Sequence, residues 1–186
     1  MHVFISLLTA LWIAFAVIWL AAALNTKRYA QTNMRSVIAR LSVLLIIFSL
    51  LRNHSARHFF VGIEHLVWTP VLASVGLALT ALGIGFAIWA RVHLGRNWGM
   101  PMSLKQDAEL ITSGPYAYVR HPIYGGVLLA MLGSTLVSIW WIVALVLFAG
   151  YFVWSARTEE KIMMAQFPQL YADYMKRTKM FIPFVV

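Results

Sequence analysis

The densest polar chemistry of the chain lies in Gly114–Gly126, which reads GPYAYVRHPIYGG. Pro122 is favoured at the first position of a helix, so His121 is predicted to be the N-cap or its neighbour. A helix N-terminus attracts anions, yet Arg120 and His121 stand there, so a carboxylate or an anionic ligand is expected nearby. The Gly125–Gly126 pair leaves the first turn without side chains, which permits close approach of a ligand or another helix.

Glu159 and Glu160 are the candidates for the carboxylate that is expected near Arg120 and His121. Pro122–Ser155 is an uncharged run of 34 residues, too long for one membrane span and about right for two, with the Trp140–Trp141 pair marking the turn. At ~1.5 Å per residue, about 16 residues rise ~24 Å and a similar number descend. An antiparallel hairpin therefore returns Glu159 and Glu160 to the depth of Arg120–Tyr124. The residues alone predict a polar ligand site at a membrane surface.

The composition indicates a membrane protein. Of the 186 residues, 61% are apolar and 11% are charged, and the mean hydropathy is +0.77, far from the balance of a soluble domain. Because the chain has no cysteine, disulfides and thiolate metal sites are excluded. The net charge of +9 is interpreted as basic flanks of membrane spans rather than a nucleic-acid surface. We predict an all-α polytopic helix bundle forming one membrane domain over residues 1–186.

Five spans account for the apolar segments, and the last two form a tight hairpin. They are Val3–Leu24, Val37–Leu51, Leu66–Ala90 and two within Pro122–Ser155. Val3–Leu24 is interpreted as a span rather than a signal peptide because no Lys or Arg precedes it. Five spans place 13 of the 15 basic residues on one side. The positive-inside rule makes that side cytoplasmic and leaves the N-terminus outside.

The cytoplasmic pieces are the linker Arg91–His121 and the tail. The tail is predicted to be helical from Ala156 to Gln166, to break at Phe167–Pro168, and to continue as an amphipathic helix to about Thr178. Its apolar stripe comprises Met163, Phe167, Leu170, Tyr171 and Tyr174.

The motifs of the second half resemble a known family. GPYAYVRHPIYGG, then RTEEKIMMAQF and then YADYMKRTKMFIPF resemble the isoprenylcysteine carboxyl methyltransferase family, part of a wider group that includes phospholipid N-methyltransferases. The matching positions are Tyr116, Arg120, His121, Pro122, Tyr124, Gly125, Glu159, Glu160, Tyr171, Tyr174, Arg177 and Pro183. The upstream LGRNW (Leu94–Trp98) also looks like the family's entry to this region. The resemblance covers about residues 91–186, the expected catalytic half, whereas residues 1–65 carry no recognisable motif.

This resemblance implies S-adenosylmethionine as the methyl donor and a lipophilic acceptor that enters from the bilayer. The implied donor-binding residues are Tyr116, His121, Pro122, Tyr124, Gly125, Glu160 and Tyr171. The implied catalytic residues are Arg120, Tyr124 and Glu159. A Rossmann-type donor site is excluded because the chain has no strand–glycine-loop–helix pattern.

Several functions stay open. A carboxylate acceptor needs no general base, and Arg120 would hold it, in a bidentate manner if the geometry allows. An amine acceptor on a phospholipid would need Glu159 or Glu160 to take a proton. A non-catalytic membrane protein explains the spans but not the ordered motifs. A metal site at His54, His58 and His65 has only Glu64 as a nearby carboxylate and is disfavoured.

Overall fold

The computed structural model describes residues 1–23, 29–31, 59–63, 68–98, 104–105 and 109–182, together with positions 38, 41, 42, 45, 46 and 49. Most of the predicted second span, Val37–Leu51, lies outside the described residues. The histidines of the alternative metal site, His54, His58 and His65, also lie outside them.

The described chain is predominantly helical. Five helices have both ends among the described residues: α1 (His2–Ala23), α2 (Pro70–Leu94), α3 (Pro122–Val137), α4 (Trp141–Gln166) and α5 (Pro168–Arg177). Residues 59–63 are also helical. Short 3₁₀ turns lie at Gly95–Asn97 and Gly114–Ala117. Helices α1, α2 and α4 are long and apolar enough to cross a membrane, and α3 is a shorter apolar helix of 16 residues. The prediction of an integral membrane protein with a helical fold is confirmed.

One feature outside the helices was not predicted. Strand β1 (Tyr29–Gln31) pairs in antiparallel fashion with β2 (Leu104–Lys105), and Tyr29 lies opposite Lys105. Strands of two or three residues are too short to carry a period-two pattern, so the all-α prediction misses them.

The third predicted span is shifted along the chain. Helix α2 begins at Pro70 rather than Leu66, because proline is favoured in the first turn and Thr69 caps the helix by accepting from the Leu72 amide. It ends at Leu94 rather than Ala90, and Gly95 closes it with a positive φ of 54°. Arg91 therefore belongs to the helix and not to the linker.

The tail prediction is partly wrong. Helix α4 continues through Ser155 without interruption to Gln166, so the expected tail helix is the last part of the span helix. The break at Phe167 and the new helix from Pro168 are confirmed. The predicted apolar stripe is divided, since Tyr171 and Tyr174 are buried whereas Leu170 is 67% exposed.

Helices α2 and α3 touch backbone to backbone. A Cβ on Gly83 would lie 2.4 Å from the Ala130 amide nitrogen, and one on Gly133 would lie 2.6 Å from the Gly76 carbonyl oxygen. Such contacts require the absence of side chains at these positions. Gly76 and Gly83 thus allow the two helices to pack closely. Gly85 has no such role, because a Cβ at that position would meet nothing within 4 Å.

The helix ends converge at one end of the bundle. Helices α1 and α2 run in the same direction: the Phe4 and Trp68 rings are 5.8 Å apart at one end, and Arg91 Nη2 donates to the Ala22 carbonyl at the other. Helix α3 runs opposite to α2, because Gly126 packs against Ala87. The N-terminus of α3 therefore lies at the end of the bundle that holds Arg91, and the polar site is built there.

Candidate active site at the start of α3

A backbone strap frames the site. We call Thr178–Ile182 the C-terminal strap. The amides of Arg120 and His121 donate to the Lys179 and Met180 carbonyls at 2.8 and 3.0 Å. A parallel bridge joins Val119 to Lys179. The strap is thus fixed beside the residues that begin α3, where His121 is the N-cap and the buried Pro122 holds the first helical position.

Arg120 has internal partners. Its Nε lies 2.6 Å from Glu160 Oε1, and the two side chains are 10% and 11% exposed. Its Nη1 donates to the Thr178 carbonyl of the strap. Glu160 therefore supplies the negative charge that the sequence requires near this helix start. Because Nε already donates to Glu160, a bidentate grip on a ligand carboxylate would have to use the edge formed by Nη1 and Nη2.

His121 lies between the two carboxylates. Its Nδ1 is 3.7 Å from Glu159 Oε2 and its Nε2 is 3.4 Å from Glu160 Oε1. The imidazole is buried, at 8% exposure. Because Arg120 compensates only one of the two carboxylates, a net negative charge remains beside this imidazole, and a cation is favoured there.

Glu159 is held by hydroxyl groups. Tyr124 donates to its Oε1 at 2.5 Å and Ser155 donates to the same oxygen at 2.9 Å. The Tyr124 ring is stacked between two aromatic rings: His121 at 5.5 Å and 4°, and Phe152 at 4.5 Å and 7°. A polar network and an aromatic stack therefore meet at the Tyr124 side chain.

Three tyrosines close the site from the linker and the tail. Tyr116 lies buried in the second 3₁₀ turn, and its carbonyl accepts a 2.6 Å hydrogen bond from the Tyr174 hydroxyl. Burial raises the pKa of Tyr116 and of Tyr171 above the ordinary range, and it raises the pKa of Tyr174 to about 12. All three phenols are therefore neutral at physiological pH.

Gly125 and Gly126 lie against two different neighbouring segments. A Cβ on Gly125 would lie 3.1 Å from the Phe181 carbonyl of the strap, whereas one on Gly126 would lie 2.8 Å from the Ala87 amide of α2. Gly126 is explained by helix packing, and Gly125 by the approach of the strap.

The structure brings together six of the residues that the sequence selected. They are Arg120, His121, Pro122, Tyr124, Glu159 and Glu160. Tyr171 is buried on α5 and interacts electrostatically with Glu160, and Gly125 faces the strap. Pro183 lies outside the described residues. Among the described side chains, no group of three or more His, Cys, Asp or Glu residues could hold a metal ion.

Sequence reasoning missed the supporting residues of this site. They are Phe152, Ser155, Thr178 and Phe181. Ser155 could have been found, because it precedes Glu159 by four residues and so shares its helix face. The strap residues carry no such signal, since only the fold brings them to α3.

The model of the isoprenylcysteine carboxyl methyltransferase (ICMT) family matches residues 75–165, which include α3 and most of α2 and α4. Over these residues the chain is similar to the ICMT family. The resemblance seen in the motifs is thereby confirmed. The matched region contains Arg120, His121 and Tyr124 and ends after Glu159 and Glu160.

Individual proteins are also similar to this chain. The chain is 32% identical over 157 residues to the cobalt-zinc-cadmium resistance protein CzcN of Cupriavidus metallidurans, covering 82% of this chain and 65% of that protein. It is 29% identical over 134 residues to the protein-S-isoprenylcysteine O-methyltransferase of Tribolium castaneum, covering 69% of this chain and 46% of the enzyme. The chain thus spans about two thirds or less of the length of these relatives.

A solved structure shares the fold. The eukaryotic intramembrane Ras methyltransferase ICMT superposes with a TM-score of 0.56 at 23% identity, covering 84% of this chain and 55% of that one. At this identity the likeness supports the ICMT-like fold. The architecture described above is therefore that of an ICMT-type membrane protein.

Proposed function

We propose that this protein is an S-adenosylmethionine-dependent integral-membrane methyltransferase of the ICMT family. Its acceptor is lipophilic, and carboxyl O-methylation of an isoprenylcysteine-type substrate is the reaction we favour. The observation that carries the proposal is the buried cluster in which two carboxylates flank His121 beside the aromatic stack of Tyr124. This cluster lies where apolar helices end, so a charged methyl donor and a lipophilic acceptor can meet there.

The chemistry of the cluster fits the proposed donor. S-adenosylmethionine supplies an electrophilic methyl group on a positively charged sulfur, and it also carries an ammonium group and a carboxylate. Carboxylates and the faces of aromatic rings favour cations, and the N-terminus of α3 favours a carboxylate. The groups of the cluster therefore match each charged part of S-adenosylmethionine.

The two carboxylates have different roles in this proposal. Glu160 neutralises Arg120 and is 11% exposed, whereas the Glu159 side chain is 26% exposed. We therefore assign Glu159 to the ammonium group of the donor and Glu160 to orienting Arg120. The family resemblance implied the opposite assignment, in which Glu160 binds the donor and Glu159 is a catalytic residue.

The chain contributes orientation and exclusion of water to a carboxylate acceptor. Such a nucleophile is already ionised at neutral pH and needs no general base. Arg120 would attract it by charge, using donor capacity beyond the Nε and Nη1 bonds that hold Glu160 and Thr178. Alignment in a site closed to water then supplies the acceleration.

We also propose five spans, the last two forming a tight hairpin, with the site in the cytoplasm and the N-terminus outside. The common direction of α1 and α2 supports this topology, because it requires the chain to return between them. The distribution of basic residues supports the sidedness. In this arrangement residues 91–186 form the catalytic half.

The decisive experiment is methyl transfer by the purified full chain in lipid nanodiscs with radiolabelled S-adenosylmethionine. The acceptor panel includes a farnesylcysteine analogue, phosphatidylethanolamine, a small thiol and a fatty acid. The panel stays broad because the name of the Cupriavidus relative specifies metal resistance and no acceptor.

Base-labile label on the farnesylcysteine analogue is the expected result and indicates a methyl ester. Base-stable label on phosphatidylethanolamine would instead indicate N-methylation of the lipid amine. Absence of donor binding by calorimetry in both detergent and lipid would instead favour a non-catalytic membrane protein and overturn the proposal.

A further inference from the structure

Ser155 uses its hydroxyl group differently from five other serine and threonine residues in the described helices. Serine and threonine inside helices commonly bond back to the carbonyl four residues earlier. This is the pattern of Thr9, Ser74, Thr80, Ser134 and Thr158. Ser155 instead donates forward to the carboxylate of Glu159, at 2.9 Å. The exception lies inside the candidate site.

The forward bond is one of three contacts that join Ser155 and Glu159 of α4 to Tyr124 of α3. Ser155 is completely buried, and its Oγ lies 3.1 Å from the Tyr124 hydroxyl of α3. Both hydroxyls meet the same oxygen of Glu159, namely Oε1. Two donors at one oxygen fix the rotation of the carboxylate group, and they leave Oε2 on the side of His121, 3.7 Å from Nδ1.

Burial alone does not explain this use of the hydroxyl. The side chain of Ser134 is equally buried, yet its hydroxyl is satisfied by the Ala130 carbonyl of its own helix. The same back-bond is open to a serine at position 155 within the continuous helix α4. The forward bond therefore depends on the presence of Glu159, and its effect is to orient that carboxylate.

We propose that Ser155 is a positioning residue that orients Glu159 so that Oε2 faces the ammonium group of the methyl donor. This inference rests on the proposed function and adds to it a residue that neither the motifs nor the family resemblance selects. Ser155 itself does not touch the donor. Its contribution is to keep the negative charge of Glu159 in one place, which matters only for ligands that carry the matching cation.

The test compares two ligands in the purified full chain. S-adenosylhomocysteine retains the amino-acid part of the donor, whereas 5′-methylthioadenosine lacks it. We expect Ser155→Ala to weaken binding of S-adenosylhomocysteine about tenfold, the effect of losing one hydrogen bond to a charged group. Binding of methylthioadenosine is expected to change by less than about twofold, because it has no ammonium group to misplace.

Matched variants separate positioning from folding. Ser134→Ala removes an equally buried hydroxyl outside the site and is expected to leave both affinities unchanged. Ser155→Cys keeps the volume and supplies only a weak donor, so it provides the measurement if the alanine variant fails to fold. In a Glu159→Gln background, Ser155→Ala should add little further loss, because both changes act on one carboxylate.

The outcomes are distinct. Equal weakening of both ligands in Ser155→Ala, or unchanged binding of S-adenosylhomocysteine, overturns the positioning role. Additive losses in the double variant overturn it as well. If the wild-type chain binds neither ligand, the proposed function itself fails, and this result is recognised before any variant is measured.

Discussion

Arg120 and Glu160 form a buried ion pair with 2.6 Å between Nε and Oε1, and the pair joins the start of α3 to the last turns of α4. The same guanidinium also holds the strap through the Thr178 carbonyl. A single arginine therefore ties together three segments that are distant in the sequence. Substitutions here should affect stability as well as turnover.

We expect Arg120→Ala to lower the free energy of unfolding by about 3–5 kcal/mol, because it leaves the Glu160 charge buried without its partner. Turnover in the acceptor assay should also be lost. Unfolding is measured in detergent by heat or guanidinium. Lys176→Ala is the matched control, since it breaks an ion pair with Asp173 whose side chains are 75% and 65% exposed. That control should cost less than about 1 kcal/mol, and equal losses in the two variants would contradict the structural role of Arg120.

Gly83→Ala is expected to destabilise the protein by about 1–3 kcal/mol, because the new methyl group would be forced against the backbone of α3. Gly85→Ala lies two residues away in the same helix, where the added methyl group meets nothing within 4 Å. It should be neutral or stabilising by up to about 1 kcal/mol, as alanine favours the helix. The two melting temperatures are compared in the same detergent. Equal shifts would contradict the close packing of α2 on α3.

The chain has no cysteine, so single cysteines can report the proposed sidedness without a modified background. Ser138→Cys, in the connection between α3 and α4, should react with a membrane-impermeant maleimide added to intact cells. Lys176→Cys, on α5, should react only after the membrane is opened. Labelling of the full chain is read by a mass shift on a gel. The opposite pattern would invert the topology and place the site outside.

The raised pKa of Tyr174, about 12, predicts a stability change at alkaline pH. The unfolded phenol ionises near pH 10, so the folded chain holds this proton more tightly than the unfolded chain does. The contribution of Tyr174 to stability is therefore complete below about pH 10 and is lost as the pH rises from about 10 to about 12. Ultraviolet absorbance of the wild type is compared with that of Tyr174→Phe. Ionisation of Tyr174 at its ordinary pKa would show that the phenol is not buried.

Local chemistry determined much of this protein from the sequence. The length of apolar runs is dictated by the thickness of the bilayer, so α1 and the pair α3–α4 could be placed from hydropathy. Proline fixes φ and lacks an amide proton, so the starts of α3 and α5 at Pro122 and Pro168 were also predictable. The expected meeting of His121 with Glu159 and Glu160 follows from the helical rise alone.

Other features depended on contacts between distant segments. The sequence offered both Glu159 and Glu160 as partners for Arg120, and only packing of the strap and α4 decided for Glu160. The two short strands and the strap have no local pattern, because their hydrogen bonds reach across the chain. Ser155 became part of the site only when Tyr124 of α3 met its face of α4. The sequence by itself determined which groups arrive at this end of the bundle, whereas tertiary packing decided which group faces which, because rotamers and ion pairs are settled by their surroundings.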